Sequence, residues 1–245
     1  MIYHWTDLGN FRGRIGEESF ERLFYRVLDE AEQLGIDISN KRNADSTDIK
    51  ANVDLSRCAK DKQGEHDHTW IDRNTSDPDA RCGKKGNKPS SKRWYGYKGH
   101  INQETKTELV TSVITTDAAE ADESQLVPLV DKERDFRGEE ATRKQGGDKA
   151  YVGHTEELNE RDILDYVIPR DNMTQERARK NRNKHYLHLK GQRPKIERKF
   201  AEGKKHHHLR QTRYRSRWKV HIQNLLIFIA INVKRIIRLV MPQVT

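Results

Sequence analysis

Two stretches rich in aromatic and β-branched residues constrain the fold of this chain more than any other feature. They are "RWYGYKGHI" at residues 93–101 and "ELVTSVITT" at residues 108–116, and a short polar segment separates them. Aromatic and β-branched side chains favour strands, and a connection this short joins neighbouring antiparallel strands. We therefore predict an antiparallel hairpin, and with it a sheet that the rest of the chain must cover.

The segments around the hairpin alternate between helical and extended patterns. Residues 17–34 carry apolar side chains at i, i+3, i+4 and i+7 spacing, which is typical of an amphipathic helix, and Gly35 ends it. Further strands are predicted at 44–53 and 165–169, and further helices at 120–133, 193–204 and 218–240. This order predicts an α/β fold, a mixed sheet flanked by helices.

Three regions are expected along the chain. They are an N-terminal helical region at 1–40, a sheet-based core at 41–220, and a C-terminal helix at 221–245 that packs on the core. Hydrophobic residues make up only 33% of the chain, so the core must be thin and the solvated loops long. Residues 52–92 are predicted to be a polar insertion and residues 171–192 a basic linker. A dimer contact through the last helix stays open as an alternative to core packing.

Positive charge is concentrated near the C-terminus. The formal net charge is +9, yet residues 171–220 contain seventeen Lys and Arg against four Asp and Glu. Such a block predicts a polyanionic partner, most simply nucleic acid. Within it, Arg213, Arg215 and Arg217 are the best candidates for contacts with a phosphate backbone. Lys98, on a predicted strand, is a further DNA-binding candidate.

Cysteine content and apolar runs indicate the compartment. Two cysteines are too few for a disulfide framework, which predicts a reduced, cytoplasmic protein. The N-terminal residues lack the apolar core of a signal peptide, and the apolar run at 225–231 is far shorter than the ~20 residues of a membrane-spanning helix. The spacing of Cys58, His66, His68 and Cys82 fits no common zinc finger, so a solvated insertion is preferred there.

Three acidic residues stand out by their positions. Asp45 lies on the predicted first strand and shares a face with apolar residues, whereas Asp48 lies on the opposite face, where we expect solvent. Asp148 falls in "GDKAY", after a polar segment, and Glu197 lies on the predicted helix at 193–204. Carboxylates that converge need a cation, and Mg²⁺ or Mn²⁺ prefers oxygen ligands. The three residues predict a divalent metal site if they meet.

Glu197 has a second interpretation. Arg193, Glu197 and Lys204 are spaced i, i+4 and i+11, so they share one face of a helix. A solvated Arg193–Glu197 ion pair, contributing about 0.3–0.5 kcal/mol, is therefore the alternative to a metal ligand. The cationic face fits DNA positioning under the first interpretation and plain solvation under the second.

Several motifs occur in an order that resembles a known family. They are "ADSTDIKAN", "DPDARCGKKG", "WYGYKGHI", "GDKAYVG" and "RPKIERKFAEGKK", followed by the closing stretch "HHHLRQTRYRSRWKVHIQNLLIFIAINVKR". Together they resemble the bacterial insertion-sequence DDE transposases with an RNase H-like core and a Tyr-Arg-Glu-Lys signature. The resemblance covers residues 11–240. Arg193 and Lys204 match the arginine and lysine of the signature, and Lys190 stands where the tyrosine is expected.

The resemblance implies a function and a site. Asp45, Asp148 and Glu197 would hold two Mg²⁺ (or Mn²⁺) ions for DNA cleavage and strand transfer at the ends of the element. The partners would be the terminal inverted repeats and a target duplex, at the nucleoid in the cytoplasm, with a homodimer possible. The chain starts inside the family's N-terminal helical region, so we expect an N-terminally truncated member.

Two other classes of function remain open. A truncated, inactive remnant would bind nucleic acid through the basic block without cleaving it, and its binding would be sensitive to salt. A basic RNA-binding or ribosome-associated protein would instead prefer structured RNA to duplex DNA.

Overall fold

The structure is a computed structural model that describes residues 5–54, 76–86 and 93–241. Within these ranges the chain forms seven helices and six strands. The helices are α1 (Trp5–Ile15), α2 (Glu17–Gln33), α3 (Leu126–Arg137), α4 (Thr155–Asn159), α5 (Thr174–Lys180), α6 (Lys184–His206) and α7 (Arg217–Val240). The strands are β1 (Lys41–Lys50), β2 (Arg81–Lys84), β3 (Arg93–Glu104), β4 (Val110–Asp117), β5 (Lys144–Gly147) and β6 (Leu164–Val167).

The six strands form one mixed sheet in the order β2-β3-β1-β5-β6, and β4 also pairs with β3. β3 and β4 form the antiparallel hairpin that the sequence predicts, and β3 also runs antiparallel to β1. β5 and β6 run parallel to β1. The predicted α/β class is confirmed, and the mixed sheet flanked by helices is consistent with an RNase H-like core.

Apolar clusters cover the sheet on both faces. The larger cluster joins α2, α6 and α7 to the sheet through residues such as Phe24, Ile196 and Phe228. The other joins α3 and α4 to β1 through Ala44, Leu129 and Leu158. β1 is therefore buried between helices on both sides, so its two faces offer different environments to its side chains.

Helix α7 is long and apolar enough to cross a membrane, the only helix in the described ranges with that property. However, 61% of its most apolar window is buried inside the protein. Its buried side chains include Leu225, Phe228 and Ile231, which pack in the larger cluster. This burial is what a core helix requires, so the composition of α7 is weak evidence for a membrane span.

The predicted linker at 171–192 is wrong. α5 occupies Thr174–Lys180, and α6 begins at Lys184 rather than near residue 193. Asn183 caps α6, because its Oδ1 accepts hydrogen bonds from the backbone N–H groups of His185 and Tyr186. The added first turns bury Tyr186 and Leu189 against Tyr166 of β6. These two buried side chains stabilise the helix although its composition is basic.

The predicted insertion at 52–92 is also not a loop throughout. Its residues Arg81–Lys84 form β2, which pairs with Arg93–Gly96 of β3. Cys82 lies in this strand, whereas Cys58, His66 and His68 lie outside the described residues. Pairing with β3 gives these polar residues a strand conformation that their composition alone does not favour.

Candidate functional site

Two aspartates lie side by side at neighbouring parallel strands. β1 and β5 pair in a register that places Ala44 opposite Gly147, so the next residues are Asp45, within β1, and Asp148, directly after the end of β5. The Oδ1 atom of Asp45 accepts a hydrogen bond from the N–H of Ser46 at 2.8 Å. The Oδ1 atom of Asp148 accepts one from the N–H of Ala150 at 2.8 Å. Each carboxylate is thus oriented by its own backbone.

Helix α6 brings a cation to this pair. The Nη2 atom of Arg193 lies 3.8 Å from Oδ2 of Asp45 and 3.9 Å from Oδ2 of Asp148. The Arg193 side chain is 23% exposed, and the two aspartates are 16% and 32% exposed, respectively. A partly buried guanidinium therefore bridges the two carboxylates, and this contact differs from the Arg193–Glu197 pair considered as an alternative.

Glu197 lies one turn after Arg193 and is exposed. No hydrogen bond or ion pair connects it to another described residue, so its carboxylate is open to solvent. It is nevertheless close enough to act on Asp45 electrostatically. The pKa of Asp45 is raised to about 6, chiefly by burial; the Ser46 N–H and Arg193 oppose the rise, and the charges of Asp148 and Glu197 add to it. The three predicted carboxylates therefore share one electrostatic environment.

The other predicted cation of α6 contacts the same strand. Lys204 Nζ donates a hydrogen bond to Oδ1 of Asp48 at 2.7 Å, and the two side chains are 23% and 20% exposed. The expectation that Asp48 is solvated is therefore wrong, because α6 passes over this end of β1 and places a lysine against it. The contact between Lys204 and Asp48 therefore helps to hold α6 against β1.

The remaining DNA-binding candidates differ in exposure. Arg213 and Arg215 are exposed on the segment before α7, and Arg217 is exposed as the first residue of α7. The Arg12 guanidinium of α1 stacks over the neighbouring Tyr214 ring at 4.7 Å and extends this basic surface. Lys98 is only 14% exposed, because its Nζ atom contacts the Glu120 carbonyl at 2.6 Å and Oδ1 of Asp122 at 3.0 Å.

A second acidic group lies elsewhere, at the junction of α2 and α7. Glu17, Glu21 and His221 form the one set in the described part of the chain whose ligand atoms all lie within 4.8 Å of one another. Lys132 already donates a hydrogen bond to Glu21 and lies 3.3 Å from Nε2 of His221. This group therefore has its own cation and joins α2, α3 and α7. The ligand atoms of Asp45, Asp148 and Glu197 do not all lie within 4.8 Å of one another.

One residue of the site has no counterpart among the sequence predictions. Asn43 precedes Asp45 by two positions, is 3% exposed, and donates from Nδ2 to the Leu189 carbonyl of α6 at 2.9 Å. An asparagine in a polar strand gives no periodic signal, and its partner lies in the segment that was predicted as a linker. It therefore becomes visible only when the strand and the helix are placed together.

Residues 44–233 match the family model described as the transposase DDE domain. The match includes all three predicted carboxylates and most of the chain. Comparisons with curated proteins and with solved structures find no match.

Proposed function

Because the chain belongs to the transposase DDE domain family, we propose that it cleaves DNA at the ends of an insertion sequence and transfers them to a target duplex. One observation carries this proposal. Asp45 and Asp148 follow paired positions on two parallel strands, beneath the helix that holds Glu197. Loops and strand ends supported by a rigid sheet are the usual place for such chemistry.

Divalent metal ions are used generally in this family. The residues of this chain fit such ions, because three carboxylates supply oxygen donors, and burial, with a smaller contribution from the neighbouring acids, raises the pKa of Asp45. We assign two Mg²⁺ or Mn²⁺ ions to Asp45, Asp148 and Glu197. When bound, such ions activate the attacking oxygen and stabilise the leaving oxygen of an in-line phosphodiester displacement.

The protein's own groups prepare the site for this chemistry. The N–H groups of Ser46 and Ala150 hold the two Oδ1 atoms, which leaves both Oδ2 atoms facing α6. Asp45 must be ionised to act as a ligand, so a metal ion competes with the proton that this carboxyl holds below about pH 6. Arg193 neutralises the aspartate pair in the metal-free protein. Its guanidinium is then available to a DNA phosphate once another cation takes over that role.

The proposed DNA partners are the terminal inverted repeats and the target duplex. Arg213, Arg215 and Arg217 are exposed and would hold the phosphate backbone. Lys204 and Lys98 are also proposed to contact DNA, and both would have to exchange a carboxylate partner for a phosphate. A homodimer, and a cytoplasmic location at the nucleoid, remain predictions from the sequence.

The experiment is a nicking assay on supercoiled plasmid with Mg²⁺, with Mn²⁺ and with chelator. The parent protein is expected to nick DNA only with metal. Asp45→Asn, Asp148→Asn and Glu197→Gln are expected to lose nicking and still bind DNA. Asp162→Asn, which changes an exposed aspartate outside the site, serves as the matched control. Nicking by Glu197→Gln at the parental rate would contradict the proposal.

A second candidate function is nucleic-acid binding without cleavage. It is favoured by the exposed basic segment at 213–217, which does not use the carboxylates. Salt-sensitive DNA binding by a parent protein that never nicks the plasmid would support this candidate and exclude the first.

A further inference from the structure

Helix α6 is tied to strand β1 at two points, and the site lies between them. Asn43 Nδ2 holds the Leu189 carbonyl at 2.9 Å, and Asp48 holds Lys204 at 2.7 Å. Asp45 lies between the two tied positions on the strand. Arg193 and Glu197 lie between the two tied positions on the helix. The distance from Glu197 to the aspartates therefore depends on both ties.

The tie at Asn43 acts where the helix is weakest. Pro194 lies inside α6 and has no N–H, so the Lys190 carbonyl four residues earlier loses its helical partner. A proline inside a helix also favours a bend at this turn. The carbonyl that Asn43 holds belongs to Leu189, the residue just before this interruption. Without that bond, the turn that leads to Glu197 would be less constrained relative to β1.

The neighbouring strand makes room for this tie. Register places Gly146 of β5 opposite Asn43 of β1. A Cβ atom at Gly146 would lie 2.2 Å from Oδ1 of Asn43 and 3.2 Å from Cδ2 of Leu189. Any side chain at position 146 would therefore displace the Asn43 amide. The strand that carries Asp148 is thus shaped around the side chain of Asn43.

We propose that Asn43 is a positioning residue: it holds α6 so that Glu197 shares a divalent ion with Asp45 and Asp148. This inference rests on the proposed function, because it assumes that the three carboxylates bind metal. A purely stabilising asparagine would lower stability when replaced and leave the metal affinity of the folded protein unchanged. A positioning residue lowers the metal affinity as well.

Asn232 provides a matched control for this distinction. It is fully buried in α7, its Oδ1 accepts from the Val110 N–H at 2.9 Å, and its Nδ2 donates to the Val110 carbonyl at 2.7 Å. It is therefore also an asparagine that ties a helix to the sheet, but its helix carries none of the three predicted carboxylates. Asn232→Ala should lower thermal stability and leave the metal affinity unchanged.

The experiment measures Mn²⁺ affinity by calorimetry on the folded full chain, at a pH above the Asp45 pKa of about 6. Asn43→Ala is expected to weaken Mn²⁺ binding about tenfold, the scale of loss when a group that positions metal ligands is removed, and Glu197→Gln at least as much. If Asn43→Ala does not fold, the milder Asn43→Ser, whose hydroxyl is too short to reach Leu189, is measured instead. Parental Mn²⁺ affinity in the folded Asn43 variant, with stability lowered as in Asn232→Ala, would overturn the positioning role.

Failure of the proposed function gives a different result. A parent protein that binds Mn²⁺ but never nicks DNA would overturn the cleavage function, and the Asn43 comparison would still decide the positioning role. A parent protein that binds no Mn²⁺ would overturn both.

Discussion

Asp45 shows at the scale of one residue how the site departs from the most stable arrangement. The folded chain keeps this carboxylate 16% exposed and close to two other acids, and its pKa rises to about 6. An aspartate ordinarily titrates near 3.8. The ionised form is therefore less favourable in the folded chain than in the unfolded chain. A structure selected only for stability would not hold an acid in this way.

Asp45→Asn is expected to stabilise the metal-free protein above about pH 7, by roughly 1–3 kcal/mol, because each pKa unit corresponds to about 1.4 kcal/mol. The sign follows from the raised pKa. As the pH falls from about 6 towards 3.8, the folded parent takes up a proton, so the difference between parent and variant should vanish below about pH 4. Urea unfolding of both proteins across this range measures it. A constant difference at every pH would contradict the assignment.

Replacement of Arg193 is expected to change the stability of the protein and its metal affinity in opposite directions. Its guanidinium bridges Asp45 and Asp148, so it competes with a divalent ion for the same negative charge. Arg193→Gln should lower the melting temperature of the metal-free protein and tighten Mn²⁺ binding about fivefold, since a repulsion of roughly 1 kcal/mol is removed. Lys204→Gln, whose lysine pairs with Asp48 instead, is the control, and it should leave Mn²⁺ affinity near the parental value.

At the scale of one element, β1 is a strand rich in polar residues. It is buried because neighbouring elements supply partners for these polar side chains. Arg42 and Glu133 are both fully buried, and Nη2 of Arg42 lies 2.7 Å from Oε1 of Glu133. Glu133 also accepts a hydrogen bond from Thr111 at 2.8 Å. This ion pair joins β1 to α3 in place of an apolar contact. It makes the strand sensitive to the loss of either partner.

Glu133→Ala is expected to destabilise the protein by about 3–5 kcal/mol, because it leaves the buried Arg42 charge without its carboxylate and with backbone carbonyls only. The double variant Arg42→Met, Glu133→Leu removes both charges and should be closer to the parent in its free energy of unfolding. Chemical denaturation of the three proteins provides the comparison. If the double variant is as unstable as Glu133→Ala, packing rather than the unpaired charge explains the loss.

At the scale of the whole molecule, the positive charge forms a surface of its own. The exposed arginines at 213, 215 and 217 adjoin Arg12 of α1, a residue that precedes the matched domain. By contrast, Arg22 and Arg26 of α2 are exposed but paired with Glu18 and Glu30 of the same helix. The α2 arginines are therefore held in ion pairs within their own helix.

The double variant Arg213→Ala, Arg215→Ala should weaken DNA binding and reduce the slope of log affinity against log salt by up to about 2, if each arginine contacts one phosphate. Arg22→Ala, Arg26→Ala removes the same charge and should change the slope little. Fluorescence anisotropy of a labelled duplex over a salt series measures both. An equal loss in the two double variants would indicate a net-charge effect rather than a binding surface.

The sequence by itself determined the elements whose side chains follow a regular period. The hairpin, α2 and α7 were predicted because apolar residues repeat along them at strand or helix spacing, which requires no knowledge of their partners. Asp45, Asp148 and Glu197 are identified differently, from their positions within motifs that resemble those of a known family. Their convergence needed the register between β1 and β5 and the path of α6.

Only the tertiary structure decided the elements that exist because of a partner. β5 has the sequence "KQGG", which has little strand propensity, and it forms because it pairs with both β1 and β6. The start of α6 was missed because its burial depends on Tyr166 of β6. Asn43 and Gly146 have meaning only as neighbours. A local sequence pattern depends on interactions within one segment and on which of its faces is buried. The contacts of β5, of the start of α6 and of Asn43 join residues far apart in the chain, and only the folded structure brings these residues together.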